Sequence, residues 1–357
     1  MNSQKLTGLL ALGILVMLGV APALAQTTPV PSPSSSPRPK LSNSLSTSGS
    51  IRMYYFTRSN LIQNAGNPNR TAFNFGGKLH ADYRLGDTLT IGASYFGAEP
   101  FGANGTNPQF NGKIDNTLPG FELSTLGEAY LQFKTKSVYA KLGNQVINTP
   151  WANASDSRIK PVAFQGIDTN FQLDPHLGIG LTRMTQFEGR TSSNFDKSTL
   201  LTSRPDGNPS YPIYSTNGFF LANATYKTKQ VSISANDYSF LDIGNLLYLE
   251  AKSQLAPSSP LKPFLALQYA SERQTGRALV GIINNSTFGG QLGASLGKNI
   301  DIAASFDTSP WQTANITAGS CAAAGAGYFL PVGGTANCQN LGGVYRIYYG
   351  GIASPYT

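Results

Sequence analysis

The chain has 357 residues, enough for one large domain or two ordinary ones, and only 12% of them are charged, about half the usual fraction for a soluble enzyme. Its 38 Gly, 17 Tyr and 19 Phe make a β-rich composition. The formal net charge is +8, an excess that acts at a membrane surface, in a lumen or on anionic solutes.

The N-terminus reads as an export signal. Lys5 supplies the positive start, Leu9 to Ala21 is an uncharged apolar run, and Ala23-Leu24-Ala25 is a small-x-small cleavage site before Gln26. The run is too short to span a bilayer, which favours a cleaved signal peptide over residues 1–25 against an uncleaved anchor. Export makes nucleic acid an unlikely partner. Residues 26–48 are Pro/Ser-rich, cannot bury a core, and are expected to form a disordered periplasmic spacer.

From residue 49 to 357 the composition is uniform, so one domain is expected there. No apolar run is long enough for a spanning helix. What recurs is period-two alternation over about 9–12 residues, the signature of strands with one apolar and one polar face. Phe73, Phe75, Leu79, Ala81 and Tyr83 alternate with Asn74, Lys78, His80, Asp82 and Arg84. After a tight turn at Leu85-Gly86-Asp87, Leu89, Ile91, Ala93 and Tyr95 alternate with Thr90, Gly92 and Ser94. Ala129, Leu131 and Phe133 then oppose Glu128, Tyr130, Gln132 and Lys134; Val138, Ala140 and Leu142 oppose Tyr139, Lys141 and Gln145. Leu247, Leu249 and Ala251 oppose Tyr248, Glu250 and Lys252. About 14 strands are expected, starting near 50, 72, 88, 125, 137, 164, 176, 218, 230, 245, 262, 287, 299 and 343. Tight turns alternate with long connections near 98–124, 147–163, 187–217, 272–286 and 308–342, the rhythm of an all-β, transmembrane antiparallel β-barrel. A soluble β-sandwich also alternates but needs no such rhythm.

The segment Leu126 to Gly166 reads LGEAYLQFKTKSVYAKLGNQVINTPWANASDSRIKPVAFQG. In Gly127-Glu128-Ala129-Tyr130, Lys141-Leu142-Gly143-Asn144-Gln145, Thr149-Pro150, Asp156-Ser157-Arg158, Pro161 and Phe164 it resembles the OprD family of outer-membrane porins. Gly49-Ser50-Ile51-Arg52 and Tyr95-Phe96-Gly97 fit as well. The resemblance implies an 18-stranded barrel, uptake of small carboxylate-bearing solutes, a third extracellular loop folded into the lumen, and a ladder of basic residues on the wall. Here the third long connection carries Asp156, Ser157 and Arg158, the candidate constriction. With 14 strands counted against 18, a chain incomplete at its C-terminus is expected, the alternative being a smaller barrel of 14.

The candidate pore-lining bases are Arg52, Arg58, Lys78, Arg84, Lys134, Lys141 and Lys252, with Asp82, Glu128 and Glu250 as lumen acids. Rows of fixed positive charge lower the barrier for an anion. Cys321 and Cys338 are expected to form a local disulfide in an exported protein. Only His80 and His176 are histidines, and no motif marks a serine for either, so no catalytic constellation, cofactor or metal site is expected. The sequence therefore points to a passive porin in contact with outer-membrane lipids and lipopolysaccharide, passing small hydrophilic solutes as a monomer or trimer. A plugged adhesive barrel and an outer-membrane lipid hydrolase are the rival readings.

Overall fold

The structure, a computed structural model, describes residues 43–58, 70–100, 118–154, 156, 158–197, 215–277, 279, 284–296 and 300–308. They form thirteen strands: β1 Ser44–Arg58, β2 Arg70–Leu85, β3 Leu89–Glu99, β4 Leu123–Lys134, β5 Val138–Gln145, β6 Ala163–Gln172, β7 Leu177–Glu188, β8 Phe219–Lys227, β9 Val231–Phe240, β10 Gly244–Gln254, β11 Phe264–Gln274, β12 Asn284–Leu296 and β13 Ile300–Thr308. All belong to one sheet in chain order, each antiparallel to the next. Thirteen of the fourteen expected strands are thus present at the expected places. The fourteenth, near 343, lies outside the described residues, as do the signal peptide, Ser157, Cys321, Cys338 and the side chain of Arg58.

One boundary needs correction. β1 begins at Ser44, not near 49, so the last residues assigned to the spacer pair with β2, Ser44 opposite Arg84 and Ser48 opposite His80. Ser, Thr and Leu here have no proline among them, so the backbone keeps every donor for the ladder.

The alternation holds, with the faces inverted relative to a soluble protein. Ile51 (77% exposed), Met53, Leu79, Tyr95, Leu142, Leu181, Leu249, Leu292 and Ile302 all lie exposed. The alternate positions Asn74, Thr90, Ser94, Lys141, Thr182, Asn236 and Gln268 are buried. An exposed apolar band over the whole sheet, with polar side chains behind it, fits a sheet whose outer face meets hydrocarbon.

The turns on one side are built by side-chain capping. Thr135, Asp174 and Thr228 each accept bonds from two backbone N–H groups just ahead, those of Ser137 and Val138, of His176 and Leu177, and of Gln230 and Val231. Gly86 adopts φ 64° in the turn between β2 and β3. On the other side the connections are long, apart from the turn between β9 and β10. There Asp242 takes φ 64° and binds Arg277 at 3.0 Å. That guanidinium holds the Asp242 carboxyl below its ordinary range.

Two bulges re-aim side chains. Ser94 pairs with Glu128 but Phe96 with Thr125, so Leu126 and Gly127 together face one residue of β3. The extra residue turns both Thr125 and Glu128 to the inner face. A second shift lies between Gln165 and Gly166, opposite β7.

A charge at mid-sheet on the outer face should therefore be costly. Leu79→Arg is expected to lower unfolding free energy in lipid vesicles by about 2–4 kcal/mol, whereas Ile300→Arg, beside a turn, costs about 0–1 kcal/mol. Equal effects in urea titrations would argue against the membrane depth assigned here.

Candidate functional site

Residues 146–162, between β5 and β6, touch both sides of the sheet. At one end the Trp151 backbone N–H donates to Tyr238 Oη at 3.1 Å, and the Trp151 ring meets Tyr248 edge-on at 5.6 Å. Ile147, Trp151, Ala152 and Val162 bury against Phe164, Phe219, Tyr238, Phe240 and Tyr248. At the other end Arg52 on β1 binds the Asp156 carboxylate through both nitrogens, at 2.5 and 2.8 Å, and donates to the Arg158 carbonyl at 3.0 Å. Arg158 donates to Tyr54 Oη at 3.2 Å with its guanidinium 5.6 Å from that ring. One connection thus reaches β1 and also β9 and β10, which requires a sheet curled about it. Arg190, beyond β7, lies near Arg158 and Tyr54, and burial followed by the charge of Arg158 lowers its pKa.

A second set of contacts crosses the inner face from β2 to β5. Glu128 accepts Lys78 Nζ at 2.9 Å, with Lys141 Nζ 3.6 Å away, and receives the Ser94 hydroxyl at 2.6 Å. His80 Nδ1 lies 2.8 Å from Ser94 Oγ and its Nε2 3.2 Å from Asp82. Tyr130 donates to Asp82 at 2.8 Å, and Lys141 Nζ sits 3.6 Å over the Tyr130 ring. The network depends on Gly92, where an added Cβ would lie 2.3 Å from the Tyr130 ring and 2.4 Å from Asp82.

Of the sequence candidates, Arg52, Lys78 and Lys141 face inward, each paired with a carboxylate rather than standing as a row of isolated charges. Glu250 accepts the Tyr248 hydroxyl at 2.7 Å. Arg84, Lys134 and Lys252 lie exposed near the tight turns. Sequence reasoning left His80 without a serine; the structure supplies Ser94, with Asp82 on the ring's other side. Ser94 is wholly buried and commits its proton to Glu128, so a substrate carbonyl has no approach to Oγ.

The sequence reading also missed three lysines that gather with Lys252. Lys227, Lys229, Lys252 and Lys262 line one hollow of about 330 Å³ beside Thr228, Gln230 and Gln254, and no carboxylate is among its described lining residues. Alternation could not find Lys229 and Lys262, which belong to turns.

An antiparallel sheet, apolar outside, polar inside and curled around one of its own connections, defines an outer-membrane β-barrel of the porin class. Residues 46–309 match the family model described as outer membrane porin, OprD family, and the chain belongs to that family, an integral outer-membrane family of channels rather than enzymes. Among curated proteins no match is found. Solved Pseudomonas aeruginosa porins are similar in fold. OccD3 (OpdP) is 19% identical with TM-score 0.54, over 71% of this chain and 54% of that one. The outer membrane protein opdK is 17% identical with TM-score 0.60, over 74% and 66%. OccK2 (OpdF), solved in complex with glucuronate, is 15% identical with TM-score 0.54, over 75% and 64%. The chain therefore spans about half to two thirds of the length of these porins.

Filling the space at Gly92 should undo the inner network. Gly92→Ala is expected to lower the unfolding free energy by about 1–3 kcal/mol, and the urea midpoint with it, through the broken Tyr130–Asp82 bond. Gly97→Ala, whose Cβ would meet nothing closer than 3.6 Å, is expected to leave the midpoint in place. Matching shifts in the two variants would mean that the network contributes little.

Proposed function

We propose that the chain forms a passive channel for small hydrophilic solutes, biased toward anions and carboxylate-bearing compounds. The observation that carries this reading is the inverted sheet, with a polar, charged inner face behind an exposed apolar one. The constriction is the connection 146–162, which places Arg52, Asp156 and Arg158 together with Tyr54. The Arg52–Asp156 pair, with Arg158 and Arg190 beside it, sets a field across the passage with positive charge in excess. Arg suits a planar carboxylate because its fork engages both oxygens. The four lysines at the turn-side hollow then draw an anion onward by charge alone. Solutes move down their gradient without a covalent step, and several weak contacts serve conduction better than one tight site. The glucuronate bound to the similar OccK2 is itself a carboxylate and agrees with this class.

The test is single-channel recording in planar bilayers, with reversal potentials under a KCl gradient. Discrete open steps with anion bias are expected. Replacing Lys227, Lys229, Lys252 and Lys262 together by Gln should move the reversal potential toward the cation side and leave the folded barrel intact. Absence of steps from a folded barrel would defeat the channel reading, and an unchanged reversal potential would defeat the role of the lysines.

A further inference from the structure

The connection 146–162 has a third attachment, different in kind from the other two. Lys160 Nζ lies 3.5 Å from Glu188 Oε1 at the end of β7, and the two side chains are only 2% and 0% exposed. Glu188 Oε1 also accepts the Thr125 hydroxyl at 2.7 Å, which the bulge in β4 has turned inward. Glu188 Oε2 is buried with no hydrogen-bond partner. Gly127 makes the room for it, since an added Cβ there would lie 3.2 Å from Oε2 and 2.9 Å from the Phe96 ring. The neighbouring Ile159 is buried with Phe96, Ala98 and Leu123. By contrast the Arg52–Asp156 pair is over a third exposed on average and is open to screening by salt.

We propose that Lys160 and Glu188 act as a latch, a buried ion pair that positions the constriction loop against β4 and β7 and sets how often the channel leaves its constricted state. The proposal rests on the reading of residues 146–162 as the constriction. A buried pair of this kind behaves as a unit. Removing one partner strands a charge in a dry site, while removing both charges relieves the strain on each. The loop is therefore held by a contact whose loss is felt at the pore, far from any solute.

The test uses the full mature chain in planar bilayers, with folding verified by heat-modifiable electrophoretic mobility. Lys160→Met and Glu188→Gln alone are expected to increase excursions to larger conductance by about tenfold or more, and the double variant to return them toward the wild-type level. Single variants that conduct as quietly as the wild type would overturn the latch, as would a double variant no quieter than either single one. A folded wild type that conducts no ions would instead defeat the channel reading itself, a separate outcome.

Discussion

A backbone amide inside hydrocarbon has no water to bind, and this constraint governs everything else in the molecule. Strands satisfy it only by pairing with neighbours, which is why thirteen of them run in chain order without a gap in the ladder. Pairing in turn fixes which side chains point outward. Ile51, Leu79, Leu249 and Ile302 meet lipid because Arg52, His80, Glu250 and Asp301 do not. The hydrophobic effect that gathers apolar side chains into a soluble core here spreads them over the outside, since lipid is the apolar phase. What is left inside must then supply its own hydrogen bonds.

The inner face meets that demand in two ways. Between β2 and β5 the charges of Lys78 and Lys141 are paired through Glu128, which also takes the Ser94 hydroxyl. Between β6 and β11 the wall is aromatic, and it is covered by the apolar side chains of the connection 146–162. The connection is held by packing at Trp151, by an exposed ion pair at Asp156 and by a buried one at Lys160. The exposed pair is open to screening by salt, whereas the packing and the buried pair are shielded from it.

The places, order and inward parity of the thirteen described strands were legible in the sequence because period-two alternation depends only on residues near in the chain. Lys78, Glu128 and Lys141 could be placed on one face for that reason. Their convergence could not, since it depends on register between strands up to 63 residues apart in sequence. The bulge at Leu126 and Gly127 also escaped, because it breaks the alternation that served as the signal. It matters at the site, turning Thr125 toward Glu188 as well as Glu128 toward Lys78. The inner contacts of Trp151 escaped because a tryptophan in a polar connection carries no periodicity to interpret. Its partner Tyr238 is 87 residues away in the sequence, as Asp156 is 104 from Arg52.

The central claim is that one face of the sheet meets lipid and the other water. It is tested most directly by nitroxide scanning along β2, from Gly77 to Tyr83, in a Cys321→Ser/Cys338→Ser background reconstituted in bilayers. Oxygen accessibility should peak at positions 77, 79, 81 and 83, and accessibility to a water-soluble nickel chelate at 78, 80 and 82. Uniform accessibility along the strand, or the opposite phase, would contradict the account.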